Sequence, residues 1–111
     1  MDISIAKPPY YTVIFTSLTK GQNQAYKEMA DKMLSLAAKQ EGFLGVDSVR
    51  EQNGLGITVS YWRDLAAIHR WKQQTEHLEA QKQGKEQWYS RYRVQVCKVE
   101  REYGFEAKIG T

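Results

Sequence analysis

A chain of 111 residues that is 41% apolar and 26% charged, with two prolines, is too apolar to stay disordered and too short to hold more than one domain. Its sixteen basic and thirteen acidic residues alternate in sign, so the net charge of +3 is not gathered into a basic groove and no nucleic-acid partner is expected. Cys97 is the only cysteine and excludes an intrachain disulfide, no apolar run nears the ~20 residues that cross a bilayer, and residues 1–9 do not read as a secretory leader, so a cytoplasmic protein without a membrane partner is expected.

Residues 1–9 read as an extended lead-in, because Pro8 and Pro9 donate no backbone hydrogen bond and hold their neighbours out of helix. Tyr10 to Thr16 follow as a strand of β-branched and aromatic residues, apolar on both parities and therefore covered on both faces. Asn23 is placed to cap a helix whose inner stripe is Tyr26, Met29, Ala30, Met33, Leu36 and Ala37, and Gly42 ends it. A strand from Phe43 to Glu51 and one carrying Ile57, Val59 and Tyr61 flank Asn53-Gly54, a two-residue hairpin signal. Asp64 then caps a second helix with a stripe of Leu65, Ile68, Trp71, Thr75 and Leu78, interrupted at Gly84. Another helical turn is expected between Lys85 and Arg91, before a last strand that begins near Tyr92. That strand carries Val94 and Val96 on one parity and Cys97 and Val99 on the other, which implies a bulge or burial of both faces. Residues 106–111 form a tail.

The order βαββαβ, with crossovers long enough to be right-handed, predicts an α+β, ferredoxin-like domain over residues 10–105, with both helices on one face of a four-stranded antiparallel sheet. The other face should be polar if it meets water. Since the first and last strands are apolar on both parities, a second copy of the chain is expected to cover that face in a twofold homodimer.

The wording Gly56-Ile57-Thr58-Val59-Ser60-Tyr61-Trp62, then Ala67-Ile68-His69-Arg70-Trp71-Lys72, Glu76-His77, Ala80-Gln81, Trp88-Tyr89 and Lys98 to Phe105, resembles the antibiotic biosynthesis monooxygenase domain family. Phe43-Leu44-Gly45 is similar to that family's helix-to-strand corner. The resemblance implies a dimeric α+β barrel, in agreement with the inference from strand parity. It bears less on chemistry, because one fold carries many activities. Haem-degrading members share the tryptophan at Trp71 but place a histidine ligand where this chain has Gln81, and use an asparagine where it has the Ile14-Phe15 region; both departures count against haem degradation. Polyketide-oxidising members work without metal or flavin, and Trp62 is similar to their strand-end tryptophan, while Thr58 stands where their asparagine is expected.

On this basis the expected ligand is a small aromatic or quinol-like molecule, oxidised by molecular oxygen without a cofactor. His77 is the candidate base and Gln81 a hydrogen-bond donor toward developing charge; Phe15, Trp62 and Trp71 are the stacking walls. His69, beside Arg70 on a charged face, reads as solvated, and no metal site is expected, because His77 lacks a second ligand at a suitable spacing. The alternative is a non-enzymatic ligand-binding or stress-associated protein of the same fold.

Overall fold

The computed structural model of the chain describes residues 3, 5–21, 24–81 and 88–108, with the backbone alone at 25 and 76–81. Its elements run β1 (Tyr10–Thr19), α1 (Gln24–Ala38), β2 (Phe43–Arg50), β3 (Leu55–Trp62), α2 (Leu65–Gln81) and β4 (Tyr89–Val99), the βαββαβ order of a ferredoxin-like fold. The strands form one antiparallel sheet in the order β2-β3-β1-β4. Both crossovers thus return the chain to the sheet with a helix between, and the two middle strands are the ones buried most.

Register assigns every side chain to a face. Tyr11, Val13, Phe15 and Ser17 of β1 lie opposite Trp62, Ser60, Thr58 and Gly56 of β3, and opposite Lys98, Val96, Val94 and Tyr92 of β4. This is the side under the helices, where Val13, Ala37, Trp62, Ala67 and Ile68 form the core, with Tyr11, Phe43 and Trp71 packed against it. The other parity, which includes Ile14, Leu18, Leu55, Ile57, Val59 and Tyr61, forms the open face. As expected for β1, that parity is also partly covered: Tyr10 and Thr12 are buried.

The corner from α1 into β2 is built by Gly42, whose φ of 92° suits glycine. A Cβ there would lie 2.7 Å from the Cβ of Ala67, so the first turn of α2 rests directly on this backbone. Arg63 N–H donates to the Gly42 carbonyl at 2.7 Å, locking the two corners together. Asp64 caps α2 as expected: its Oδ1 accepts from Ala67 N–H at 2.8 Å, and that bond holds its carboxyl below the usual range. The cap expected at Asn23 and the break at Gly84 lie outside the described residues.

Four expectations require correction. Leu65 is 54% exposed, and fully buried Ala67 takes its place, because the corner at Gly42 leaves room only for a methyl group. The β2–β3 turn is a loop of Gln52, Asn53 and Gly54 in place of a two-residue turn: Glu51 N–H donates to Leu55 O and Gly54 N–H to Glu51 O, with Gly54 at φ 96°. β4 begins at Tyr89, so Tyr89 and Arg91 belong to strand and the expected helical turn does not reach them; 85–87 lie outside the described residues. The bulge inferred in that strand lies at its start, where the register shifts between Leu18 and Thr19, and neither parity is buried: Val94 and Val96 are 50% and 51% exposed. β4 is an edge strand, which is why its apolar parity is open.

Candidate functional site

The site builds from one end of the helix-facing surface. Trp62 ends β3 fully buried, with its indole N–H donating to Ser60 Oγ at 2.8 Å. The ring of Phe43 meets it edge-on at 5.4 Å, and Trp71 from the second turn of α2 lies 5.1 Å away at an interplanar angle of 33°. Trp71 is half-buried, yet its Nε1 is removed from solvent and has no hydrogen-bond partner among the described residues. A buried donor without an acceptor costs free energy and marks a place where an acceptor is wanted.

From this end a strip runs along the sheet toward the far ends of the helices. Val13, Ser60 and Val96 make one cross-strand row, followed by Phe15, Thr58, Val94 and Ser48. Thr58 is half-buried and Ser48 exposed, their hydroxyls 2.7 Å apart, and Val94 and Val96 are half-exposed. Above, the α1 stripe is buried only at Tyr26 and Ala37, while Met29, Ala30, Met33 and Leu36 are half-buried. Helix and sheet therefore leave the mainly apolar strip of Phe15, Thr58, Val94 and Val96 partly uncovered.

The far end is closed by aromatic rings. Phe15 stacks on Tyr92 at 5.3 Å and meets Tyr89 edge-on at 5.4 Å, and Tyr26 reaches Tyr89 and Trp88 from α1. Arg50 lies below Tyr26, its guanidinium carbon 5.7 Å from the ring centroid, and donates to Ser17 and to the Gly54 carbonyl. Trp62 and Trp71 are thus brought together, and Phe15 stands on the same face about 13 Å further along β1, four residues at strand rise.

His77 and Gln81 lie on α2 six and ten residues past Trp71, about 9 and 15 Å along the axis, so the backbone carries both toward the Phe15 end. Their side chains lie outside the described residues. His69 is exposed, as expected, and Cys97 is half-buried on the open face. Among the described residues no three His, Cys, Asp or Glu side chains come together as a metal site. Ser60 and Ser48 escaped the sequence reading, and Thr58 entered it only as the position where the polyketide-oxidising members are expected to carry an asparagine. They share β-parity with Trp62, and that parity was the available signal.

Comparisons with known proteins extend this description. Residues 9–83 match the family model described as antibiotic biosynthesis monooxygenase. An uncharacterised protein of Bacillus subtilis (strain 168), YqjZ, is 51% identical over 100 residues, covering 90% of this chain and 88% of that protein. Among solved structures, a mutant of SnoaB from Streptomyces nogalater, a cofactor-independent oxygenase, superposes with a TM-score of 0.68 at 16% identity, covering 86% of this chain and 97% of that one. PA3566 from Pseudomonas aeruginosa superposes with a TM-score of 0.64 at 23% identity, over 88% and 99%.

Proposed function

Given that the chain belongs to the antibiotic biosynthesis monooxygenase family, we propose that it oxidises a small aromatic or quinol-like molecule with molecular oxygen, without a bound cofactor, in the cleft between helices and sheet. The buried indole N–H of Trp71, unpartnered among the described residues, is the observation that carries this reading. A planar guest set against Trp71, with Trp62 behind it, offers that donor a carbonyl or phenolate oxygen, and the aromatic far end accommodates the rest of the ring system.

The chemistry needs nothing beyond substrate and oxygen. His77, from α2, removes a proton from the activated CH₂ of an anthrone-like substrate, and Gln81 and the Trp71 N–H stabilise the resulting anion. The anion gives one electron to O₂, the radical pair combines into a C–O bond, and the hydroperoxide loses water to leave a carbonyl. One oxygen atom enters the product and the other leaves as water, so the electrons balance without an external reductant. The protein's part is to orient the ring and exclude water.

We place this activity in a cytoplasmic homodimer. The open sheet face supports the pairing: Val49, Leu55 and Ile57 on it are 73%, 45% and 47% exposed, an apolar surface that a second sheet covers. Among the described residues no helix is long and apolar enough to cross a membrane.

Oxygen uptake in the presence of a hydroxyanthrone panel tests the proposal. Turnover that falls at least tenfold in His77→Ala, with the dimer intact, supports it; unchanged turnover rejects the role of His77. A second reading, binding without turnover, is favoured by Thr58, whose hydroxyl is engaged by Ser48 where oxidising relatives are expected to present an asparagine. It predicts saturable quenching of tryptophan fluorescence with no oxygen consumed.

A further inference from the structure

Arg50 stands on the helix-facing side of the sheet, near the β2–β3 hairpin. It pairs in register with Gly56, Gly56 with Ser17, and Ser17 with Tyr92. Its side chain lies across β3 because Gly56 has no Cβ: one there would sit 2.5 Å from the guanidinium carbon and 2.9 Å from Nε. The ring of buried Tyr26 faces the same carbon from α1, with its centroid 5.7 Å away. Nη1 donates to the carbonyls of Ser17 and Gly54, and Nη2 to the hydroxyl of Ser17, a residue only 2% exposed. The head group is therefore pinned before any ligand arrives.

These contacts use three of the five N–H groups and leave the positive charge unanswered. Ser17 takes the edge that Nη1 and Nη2 share, and Gly54, at the hairpin, takes the flank of Nη1. The edge shared by Nε and Nη2 thus looks the other way, along the sheet toward Thr58 and Phe15. Among the described residues nothing accepts from the two N–H groups left over, and no carboxylate lies within ion-pair distance of Arg50.

We propose that Arg50 receives a carboxylate of the guest, so that the substrates of this site are aromatic acids whose carboxyl points to the β2–β3 hairpin. The inference rests on the aromatic-guest reading above and names the class of guest. Two N–H groups on one planar edge match the two oxygens of a carboxylate. Phe15 stands two residues before Ser17 on the same face, about 7 Å away, which a carboxyl carried directly on a ring spans with a charge-assisted hydrogen bond of about 2.8 Å. Phe15 and Tyr92 are stacked beside the fork, so the ring of the acid meets an aromatic floor. Those rings also displace water, which strengthens the pairing over that of an exposed ion pair.

The test is fluorescence titration of the full chain with an anthracene carboxylate and with the neutral carboxamide of the same ring position. The acid is expected to bind about tenfold tighter, with a preference that shrinks as salt is added. Arg50→Gln abolishes the preference, and Arg50→Lys, which keeps the charge and loses the fork, retains part of it. Gly56→Ala, whose methyl displaces the guanidinium, lowers it as well. Arg50 also ties the hairpin, so each variant is read by the ratio of two affinities, which a loss of stability alone leaves unchanged. Equal binding of acid and amide by the parent chain overturns the pairing and leaves the aromatic guest standing. So does a preference that survives Arg50→Gln or, where that variant does not fold, Gly56→Ala. A parent chain that binds neither ligand overturns both.

Discussion

The indoles of Trp62 and Trp71 lie 5.1 Å apart, and among the described residues only the first has an acceptor for its N–H. One donor is satisfied within the fold by Ser60 and the other is held in reserve, so the two rings answer differently to substitution.

Replacing Trp71 by Phe keeps a ring against Trp62 and removes the orphaned donor. Thermal stability without ligand is expected to be unchanged or raised by up to about 1 kcal/mol, since an unsatisfied buried N–H is lost. Affinity for a carbonyl-bearing aromatic ligand falls about tenfold, as for one lost hydrogen bond. Parallel denaturation and fluorescence titration check both. A variant that loses stability and keeps its affinity contradicts the role given to Nε1.

Ser60→Ala has the opposite signature. It strips the acceptor from a fully buried Trp62 and leaves its N–H unpaired, at a cost of about 1–3 kcal/mol. Urea unfolding should show the midpoint falling without a change in slope. An unaltered midpoint would mean that Trp62 finds another partner.

At Gly42 a side chain meets two obstacles together, a left-handed φ and the methyl of Ala67 at 2.7 Å. Gly42→Ala is expected to destabilise by about 2–4 kcal/mol, adding the αL penalty to a clash against a second backbone segment. The companion change Ala67→Gly relieves the clash alone, and a double-mutant cycle by thermal unfolding should show coupling between the two sites.

Tyr10 and Tyr61 supply a pH signature. Burial, followed by hydrogen bonds to Glu102 and Asp47 and the charge on those carboxylates, pushes each phenol up to about 12. The folded values lie above the ordinary value of 10.0, so the stability these phenols contribute is fully present below pH 10 and is lost as pH rises from 10 through 12. The melting temperature should fall across that window, and less steeply in Tyr10→Phe/Tyr61→Phe. Ultraviolet titration should show these two phenols ionising above the ordinary value of 10.0.

How much of this was legible in the chain follows from the length scale of each signal. Asp64 announced its helix because capping is settled within three residues, and Gly42 its corner for the same reason. Trp62 and Trp71 could be nominated because one breaks the parity of its strand and the other joins a helical stripe. What Trp71 Nε1 lacks could not be read, since an absent partner is a property of packing. The openness of β4 was hidden as well: Val94 and Val96 look like core until the strand order sets them on an edge, where they stay half-exposed. Leu65 failed in the same way, displaced from its stripe by a glycine 23 residues earlier in the chain.

The uneven seating of α1 has a mechanical consequence. Tyr26 and Ala37 are buried near the helix's two ends, and between them Met29 and Met33 are only half-buried. Such a member behaves as a beam on two supports, yielding at mid-span while its bearings hold. Under the proposed function, thioethers, unbranched and easily reoriented, are a lining that would let that part conform to guests of different thickness. On that proposal, tolerance for guest shape is concentrated over the middle of the sheet, and selectivity is left to the rings at either end.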